Sequence, residues 1–211
     1  MQQGYFRCCC VHLGHAGSVP SDSVDEGVMK VMDVVDIEQL VIRRATVLDA
    51  PAVLKVFDEV MAWFVQMGNG GQWGSAPWSA SPRRIQLLED ACALPDAWVA
   101  EDERGHLFGA LVLGEAQPYV SPATEPEIYV RVLVASRDAR ARGIGRRLLA
   151  FADNRARDAG VQSLRVDCYG GGTGALVRFY ESCGYERIEA FSVDGWPCQL
   201  LGRSVKADAA N

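Results

Sequence analysis

The stretch that most constrains the fold is a basic, glycine-containing turn at residues 140–145. It follows an apolar run at 128–134, typical of a strand, and leads into Arg146 and a series of apolar residues that resembles the first turns of a helix. Glycines allow a tight backbone turn, and the first N–H groups of a helix have no partner inside the helix. The helix dipole and the arginines add positive potential there. A strand, a glycine turn and a helix in this order predict an anion site, with a phosphate-bearing cofactor as the leading ligand.

The overall composition predicts a folded globule without a general attraction to polyanions. The 211 residues include 21 Lys and Arg against 27 Asp and Glu, which gives a net charge of −6, so the basic turn is a local exception. Neither nucleic acid nor an anionic membrane is therefore expected as a partner. Hydrophobic residues make up 49% of the chain, which excludes disorder of the whole chain. Since no run of about 18 apolar residues occurs, no membrane span is expected.

Residues 1–36 show no clear periodicity and are predicted to be a poorly ordered extension of a domain at 37–204, with a C-terminal tail at 205–211. Five potential metal ligands lie within eight residues of this extension: Cys8, Cys9, Cys10, His12 and His15. A tetrahedral zinc site normally draws its ligands from two separated turns, so we expect no metal. The seven cysteines lack the spacing of a secreted domain, which favours reduced thiols and a cytoplasmic location.

Periodicity and turn signals predict a strand, two helices, three strands, a helix, a strand, a helix and two strands, in that order. Ser81-Pro82 is typical of a helix start, and Asp194-Gly195 is typical of a two-residue hairpin turn. The strand at 163–169 follows the strand at 127–134 after a single crossover helix. We therefore expect these two strands to lie parallel to each other.

Three sequence motifs occur in a fixed order along this series of elements. Ile42-Arg43-Arg44-Ala45-Thr46, followed by Asp49-Ala50-Pro51, opens the domain; Arg140-x-x-Gly143-x-Gly145 lies at the turn; and an aromatic-Tyr-Glu-x-x-Gly-aromatic stretch occupies 179–185. Together they resemble the GNAT superfamily of acyl-CoA-dependent N-acyltransferases over about residues 38–204. The resemblance implies an α/β layered fold with a mixed, mostly antiparallel sheet of six to seven strands. It also implies about four helices and a splayed parallel strand pair in the middle.

The resemblance implies that acetyl-CoA is the co-substrate and that no metal takes part. Backbone groups near the end of the 127–134 strand would pair with the pantetheine arm as if it were another strand, and an N–H there would stabilise the oxyanion. The turn would hold the pyrophosphate, and Arg137, Arg142 or Arg146 could meet the ribose phosphate. The implied cofactor-binding residues are Leu133, Val134, Ala135, Arg140, Ala141, Arg142, Gly143, Ile144, Gly145 and Arg146.

The same resemblance assigns the catalytic groups. Tyr180 occupies the position of the acid; a free phenol has a pKa of about 10 and can donate a proton to the departing thiolate. Glu127 is the candidate base, acting directly or through water, and it shares a strand face with Tyr129, a candidate contact of the acceptor. A cysteine nucleophile such as Cys183 would need a nearby histidine, and His106 is the only one in the domain. Direct transfer to an amine is therefore expected.

The amine acceptor, a small molecule or a peptide, is not specified by the sequence. Trp73 and Trp78 lie in a glycine-rich loop, where they either wall a substrate pocket or pack over the core. Together with Glu101 and Asp102 they favour a cationic, partly apolar amine. A second copy of the chain, in a homodimer, is the other candidate partner.

Two other function classes are left open by the sequence. Many relatives carry asparagine seven residues before the acid tyrosine, where this chain has Thr173, and a hydroxyl can make one of the contacts of an amide but not both. A non-catalytic GNAT-fold module that binds acyl-CoA or a protein is therefore the alternative to an enzyme. A nucleotide-dependent kinase fits less well, because the Gly-x-Gly lacks the Lys-Ser/Thr of a P-loop.

Overall fold

A computed structural model describes residues 9–11, by their backbone, and residues 40–66, 76–138, 140 and 142–205. The strands are β1 Cys9–Val11, β2 Val41–Arg44, β3 Ala97–Glu101, β4 Leu107–Gly114, β5 Glu127–Ala135, β6 Ser163–Tyr169, β7 Glu186–Val193 and β8 Trp196–Ser204. The α-helices are α1 Ala50–Gln66, α2 Pro82–Cys92, α3 Ile144–Asp158 and α4 Ala175–Ser182. From β2 to β8 the order is the predicted one, and β1 is an additional strand within the extension.

The sheet follows the order β2-β3-β4-β5-β6-β8-β7, with β1 pairing to β5 outside this path. Within the path, β5 and β6 are parallel, and every other neighbouring pair is antiparallel. A mixed, mostly antiparallel seven-stranded sheet with a parallel pair near its middle confirms the predicted fold class.

Helices α1 and α3 both pack against β4 and β5, which lie at the centre of the sheet. The close approach of α3 depends on Gly109 of β4. A Cβ atom at Gly109 would lie 2.9 Å from the carbonyl oxygen of Val134 and 3.0 Å from Cδ1 of Leu148 on α3. A side chain there would push α3 away from the sheet and so displace the turn at its N-terminus. None of the described helices is long and apolar enough to cross a membrane.

Local signals in the sequence explain several element boundaries. The Ser81 side chain accepts a hydrogen bond from the Arg84 N–H, and Pro82 begins α2, which confirms the predicted helix start. Asp194 and Gly195 have φ values of 51° and 80°, as a two-residue hairpin turn requires, and β7 and β8 pair on either side of it.

The opening motif of the domain is held by Arg43 of β2. Its guanidinium donates to Asp49 at 2.8 Å and to Glu101 of β3 at 2.7 Å. These hydrogen bonds raise the pKa of Arg43, and the bond from Arg43 lowers the pKa of Asp49. Arg43 therefore links β2 to the start of α1 and to β3.

Candidate active site

The glycine turn lies at the N-terminus of α3. Gly143 has a φ of 95°, a left-handed conformation that favours glycine, and no side chain caps the helix. Ile144 and Gly145 form the first, buried positions of the helix. The first N–H groups of α3 are therefore directed at the end of the turn, as an anion site requires. Ala141, the remaining residue predicted here, lies outside the described residues.

Arg140 of the turn and Arg146 of α3 have partners within the protein. The Arg140 side chain donates three hydrogen bonds to Asp138, at 2.5, 2.9 and 3.0 Å, and this pairing raises the pKa of Arg140 and lowers that of Asp138. Arg146 donates to the carbonyl and hydroxyl oxygens of Ser182 at the end of α4, both at 2.7 Å. Arg142 is exposed within the turn. To meet a phosphate, Arg140 and Arg146 would each give up these hydrogen bonds, whereas Arg142 makes no such bond to another residue of the described ranges.

The guanidinium of Arg137 lies 4.0 Å from the ring centroid of Trp63 on α1. Burial lowers the pKa of Arg137. This stacking holds the side chain against α1, so we do not count it among the phosphate contacts.

A gap opens between β5 and β6. Their ladder runs from Glu127 opposite Ser163 to Val130 opposite Val166 and then stops, although both strands continue. On the other side of β5, the register with β4 shifts so that Arg131 is an extra residue, a bulge that bends the strand where the gap begins. We call the space beyond Val130 and Val166 the β5–β6 gap. The edge of β5 that contains Leu133 and Val134 faces this gap.

Tyr180, the predicted acid, lies on α4, which packs against β6 and β7. Its side chain is 0% exposed, and its ring makes edge-to-face contacts with Phe179 at 5.2 Å and Tyr185 at 5.6 Å. The surrounding rings fix the orientation of the phenol. α4 thus holds Tyr180 rigidly beside the strand that forms one wall of the β5–β6 gap.

Glu127, the predicted base, is bound to Arg165 of β6. The Arg165 Nη2 donates to one carboxylate oxygen at 2.7 Å, and Nε donates to the other. Arg165 Nη1 also donates to the Ser121 carbonyl oxygen at 2.9 Å. The two side chains are 7% and 11% exposed, and the bonds to Glu127 raise the pKa of Arg165. Both oxygens of Glu127 therefore take part in a largely buried ion pair within the ladder.

A second buried carboxylate lies where the β5–β6 gap begins. Asp167 is the first residue of β6 beyond the last paired position, and it is 4% exposed. The Tyr129 hydroxyl donates to its Oδ1 at 2.6 Å, and the Tyr119 hydroxyl lies 3.5 Å from its Oδ2. The structure thus brings the predicted Tyr129 together with Asp167, a residue that the sequence analysis missed.

A signal for Asp167 was present in the sequence. Arg165 and Asp167 interrupt the strand Ser163–Tyr169 in the middle of a sheet, where charged side chains are rare unless they are paired. Strand alternation puts both on one face, but it does not identify their partners. The partners depend on the register with β5. Glu127 lies opposite Ser163 in the ladder but binds Arg165, and Tyr129 lies opposite Arg165 but binds Asp167.

Comparison with known families gives a direct assignment. The profile of the acetyltransferase (GNAT) family matches residues 57–185, more than half of the chain. The chain belongs to the GNAT acetyltransferase family. A human relative named "Probable N-acetyltransferase 14" is 33% identical over 156 residues, which cover 69% of this chain. The aligned region spans 62% of the length of that relative.

Solved structures share the GNAT fold. A GNAT-family acetyltransferase from Listeria monocytogenes 4b F2365 superposes with a TM-score of 0.56 at 17% identity, covering 78% of this chain and 94% of that chain. N-acetylglutamate synthase from Neisseria gonorrhoeae, complexed with coenzyme A and N-acetyl-glutamate, gives a TM-score of 0.54 at 17% identity and covers 79% of this chain and 35% of that one. At these identities the likeness establishes the fold alone.

The described side chains expected at the acceptor side of this GNAT domain contact other groups of the protein. Trp78 is 4% exposed and stacks on Phe57 of α1, with ring centroids 4.4 Å apart. This contact favours core packing, one of the two roles that the sequence left open. Glu101 binds Arg43, and Asp102 accepts hydrogen bonds from backbone N–H groups within its own turn. These groups therefore give no support for a cationic acceptor. Trp73 lies outside the described residues.

Two cysteines of the described domain, Cys92 and Cys183, are poor nucleophiles. Burial raises the pKa of Cys183 and raises that of Cys92 to about 11, so both are thiols at neutral pH. Among the described residues, no group of three or more His, Cys, Asp and Glu side chains is placed to hold a metal ion. Three of the potential metal ligands in the N-terminal extension, Cys8, His12 and His15, lie outside the described residues.

Replacing Glu127 by glutamine should destabilise the fold. Glutamine keeps the shape but removes the charge, so Arg165 becomes a buried cation with a weaker partner. We expect a loss of about 3 kcal/mol in the free energy of unfolding, measured by urea denaturation. Glu186→Gln, an exposed carboxylate at the start of β7, is the control and should change little. Equal stabilities of Glu127→Gln and wild type would contradict the structural role given to this ion pair.

Proposed function

We propose that this GNAT protein is an acyl-CoA-dependent N-acetyltransferase that moves an acetyl group from acetyl-CoA to a primary amine by direct attack. Family membership supports the activity, and the name of the human relative points the same way. The observation that carries the proposal is the end of the β5–β6 ladder at Val130 and Val166, followed along the chain by the glycine turn at the start of α3. An extended ligand that ends in phosphates fits a strand edge that leads to a helix N-terminus.

The residues present fit acetyl-CoA at this place. The first N–H groups of α3, from Gly143 to Gly145, would hold the pyrophosphate, with Arg142 beside them. The β5 backbone at Leu133, Val134 and Ala135 would hold the pantetheine arm. Bound in this way, acetyl-CoA supplies an acyl group activated by a thiol leaving group.

The side chains around the gap divide the proton transfers between them. Asp167 accepts a proton from the ammonium group of the acceptor, and Tyr129 holds the carboxylate in position. The amine nitrogen would then bond to the acyl carbon, and a β5 N–H would stabilise the oxyanion. Tyr180 would donate its proton to the sulfur as the carbon–sulfur bond breaks, and the second proton of the attacking nitrogen would pass through water to the Tyr180 oxygen, which leaves a neutral amide and a neutral phenol. We assign the base to Asp167 because it accepts hydrogen bonds from the neutral hydroxyl groups of Tyr129 and Tyr119, whereas both oxygens of Glu127 bind the cation Arg165.

Direct attack agrees with the state of the cysteines. A ping-pong route would need a thiolate near the acyl group, and burial raises the pKa of Cys183. For the acceptor, a buried carboxylate at the mouth of the gap attracts an ammonium group, whether it belongs to a small molecule or to a peptide N-terminus.

The test is a panel of amines offered with acetyl-CoA to the full-length chain. Amino acids, polyamines, aminoglycosides and peptide N-termini are each incubated with enzyme while the release of free thiol is followed. We expect release above background with at least one class, together with thermal protection by coenzyme A but not by ATP. Protection by coenzyme A without thiol release on any amine would support the non-catalytic module instead. Protection by ATP alone would support the kinase class.

A further inference from the structure

The short strand β1 lies in the β5–β6 gap. It pairs in parallel with β5, with Cys9 opposite Val132, Cys10 opposite Leu133 and Val11 opposite Val134. It also contacts β6 on its other side. The ladder between β5 and β6 has already ended at Val130 and Val166, so β1 fills the place of a missing strand between them.

This position overlaps the proposed site for the pantetheine arm. One edge of β5 is paired with β4 throughout this region, from Val132 to Ala135. Only the other edge, at Val132 to Val134, remains to accept a partner, and β1 uses it. A backbone N–H or C=O aimed into the gap cannot serve β1 and pantetheine together.

We propose that the β5–β6 gap is a binding site for an extended backbone, and that Cys9–Val11 is its internal occupant in competition with acetyl-CoA. The proposal rests on the proposed function, because it takes the gap as the pantetheine site. The N-terminal segment is then an intramolecular competitive inhibitor. Release of β1 from the gap would be favoured by any partner that binds the released segment, or by a modification that is made on the released segment.

The energetics suit a reversible occupant. A strand of three residues makes few hydrogen bonds, and ordering its backbone offsets most of their benefit. The bound and released states of β1 are therefore close in free energy, which is the condition for a ligand to shift the balance between them. Residues 12–39 connect β1 to the domain, and this length of chain is long enough for β1 to leave the gap without moving β2.

The first experiment compares coenzyme A binding by full-length variants. Cys10→Pro/Val11→Pro removes two consecutive backbone N–H groups from β1. Because one of these two N–H groups faces β5, the double substitution weakens the pairing of β1 with β5. Ser23→Pro/Val24→Pro, in the chain between β1 and β2, is the matched control. By calorimetry, we expect the β1 variant to bind coenzyme A roughly tenfold more tightly than wild type, because the competent fraction rises. The control should bind and unfold as wild type does. The β1 variant should unfold a few degrees lower, because the tenfold change in the competent fraction corresponds to about 1.4 kcal/mol of stability contributed by β1.

The second experiment uses hydrogen exchange on the wild-type chain. Adding coenzyme A should slow exchange at residues 143–146 and speed it at 9–11, as β1 is displaced. Slowing at 143–146 without faster exchange at 9–11, or equal binding by the β1 variant and wild type, would overturn the inference and leave the proposed function standing. Weaker binding by the β1 variant would also overturn it, since β1 would then be part of the cofactor site. No binding by either chain at millimolar coenzyme A would reject both proposals.

Discussion

Tyr180→Phe is expected to lower kcat by about 10²- to 10³-fold, because the variant keeps the ring but has no proton to give to the leaving thiol. The dissociation constant of coenzyme A should not change, since the proposed phosphate site lies at the start of α3 and the ring packing around position 180 is retained. The measurements are steady-state thiol release with the best amine from the panel and calorimetric binding of coenzyme A.

Tyr185→Phe is the matched control for this prediction. Tyr185 is also buried and makes an edge-to-face contact with Tyr180, so its replacement removes a hydroxyl from the same aromatic cluster. We expect its kcat to stay close to that of wild type. An equal loss in both variants would show that the cluster, and not the Tyr180 hydroxyl, is what catalysis requires. An unchanged kcat in Tyr180→Phe would remove Tyr180 from the mechanism.

The order of the elements could be predicted because local chemistry determines it. Ser81-Pro82 starts a helix through a side-chain cap and a fixed φ, and Asp194-Gly195 supplies the two positive φ values of a hairpin turn. The parallel arrangement of β5 and β6 followed from a single crossover helix between them. Each of these signals lies within a few residues of the feature that it specifies.

The partners of the buried charges could not be predicted, because they depend on the register between strands that are distant in sequence. Glu127 is near the start of β5, where a sequence pattern cannot distinguish an exposed base from half of an ion pair. Its partner in the structure is Arg165, 38 residues away. β1 is an extreme case, because three residues show no periodicity and their partner strand lies more than 100 residues further along the chain.

Asp167→Asn is the second large effect that we expect, with kcat/KM lowered by about 10²-fold. Asparagine can still accept the hydrogen bond from Tyr129, but it cannot take a proton from the acceptor. Tyr129→Phe should cost less, about tenfold, because it only loosens the position of the carboxylate. Both are measured by thiol release with the best amine, alongside urea denaturation to separate activity from folding.

Glu127→Gln is the matched comparison for Asp167→Asn, because both substitutions replace a buried carboxylate by an amide on the same face of the sheet. If Asp167 is the base, Asp167→Asn loses activity while it keeps most of its stability. Glu127→Gln should then lose stability, and its folded fraction should keep most of its activity. The reverse pattern would return the role of base to Glu127 and make Asp167 a structural carboxylate. Loss of activity in neither variant would mean that the amine reaches the acyl group already deprotonated, with water as the acceptor of its proton.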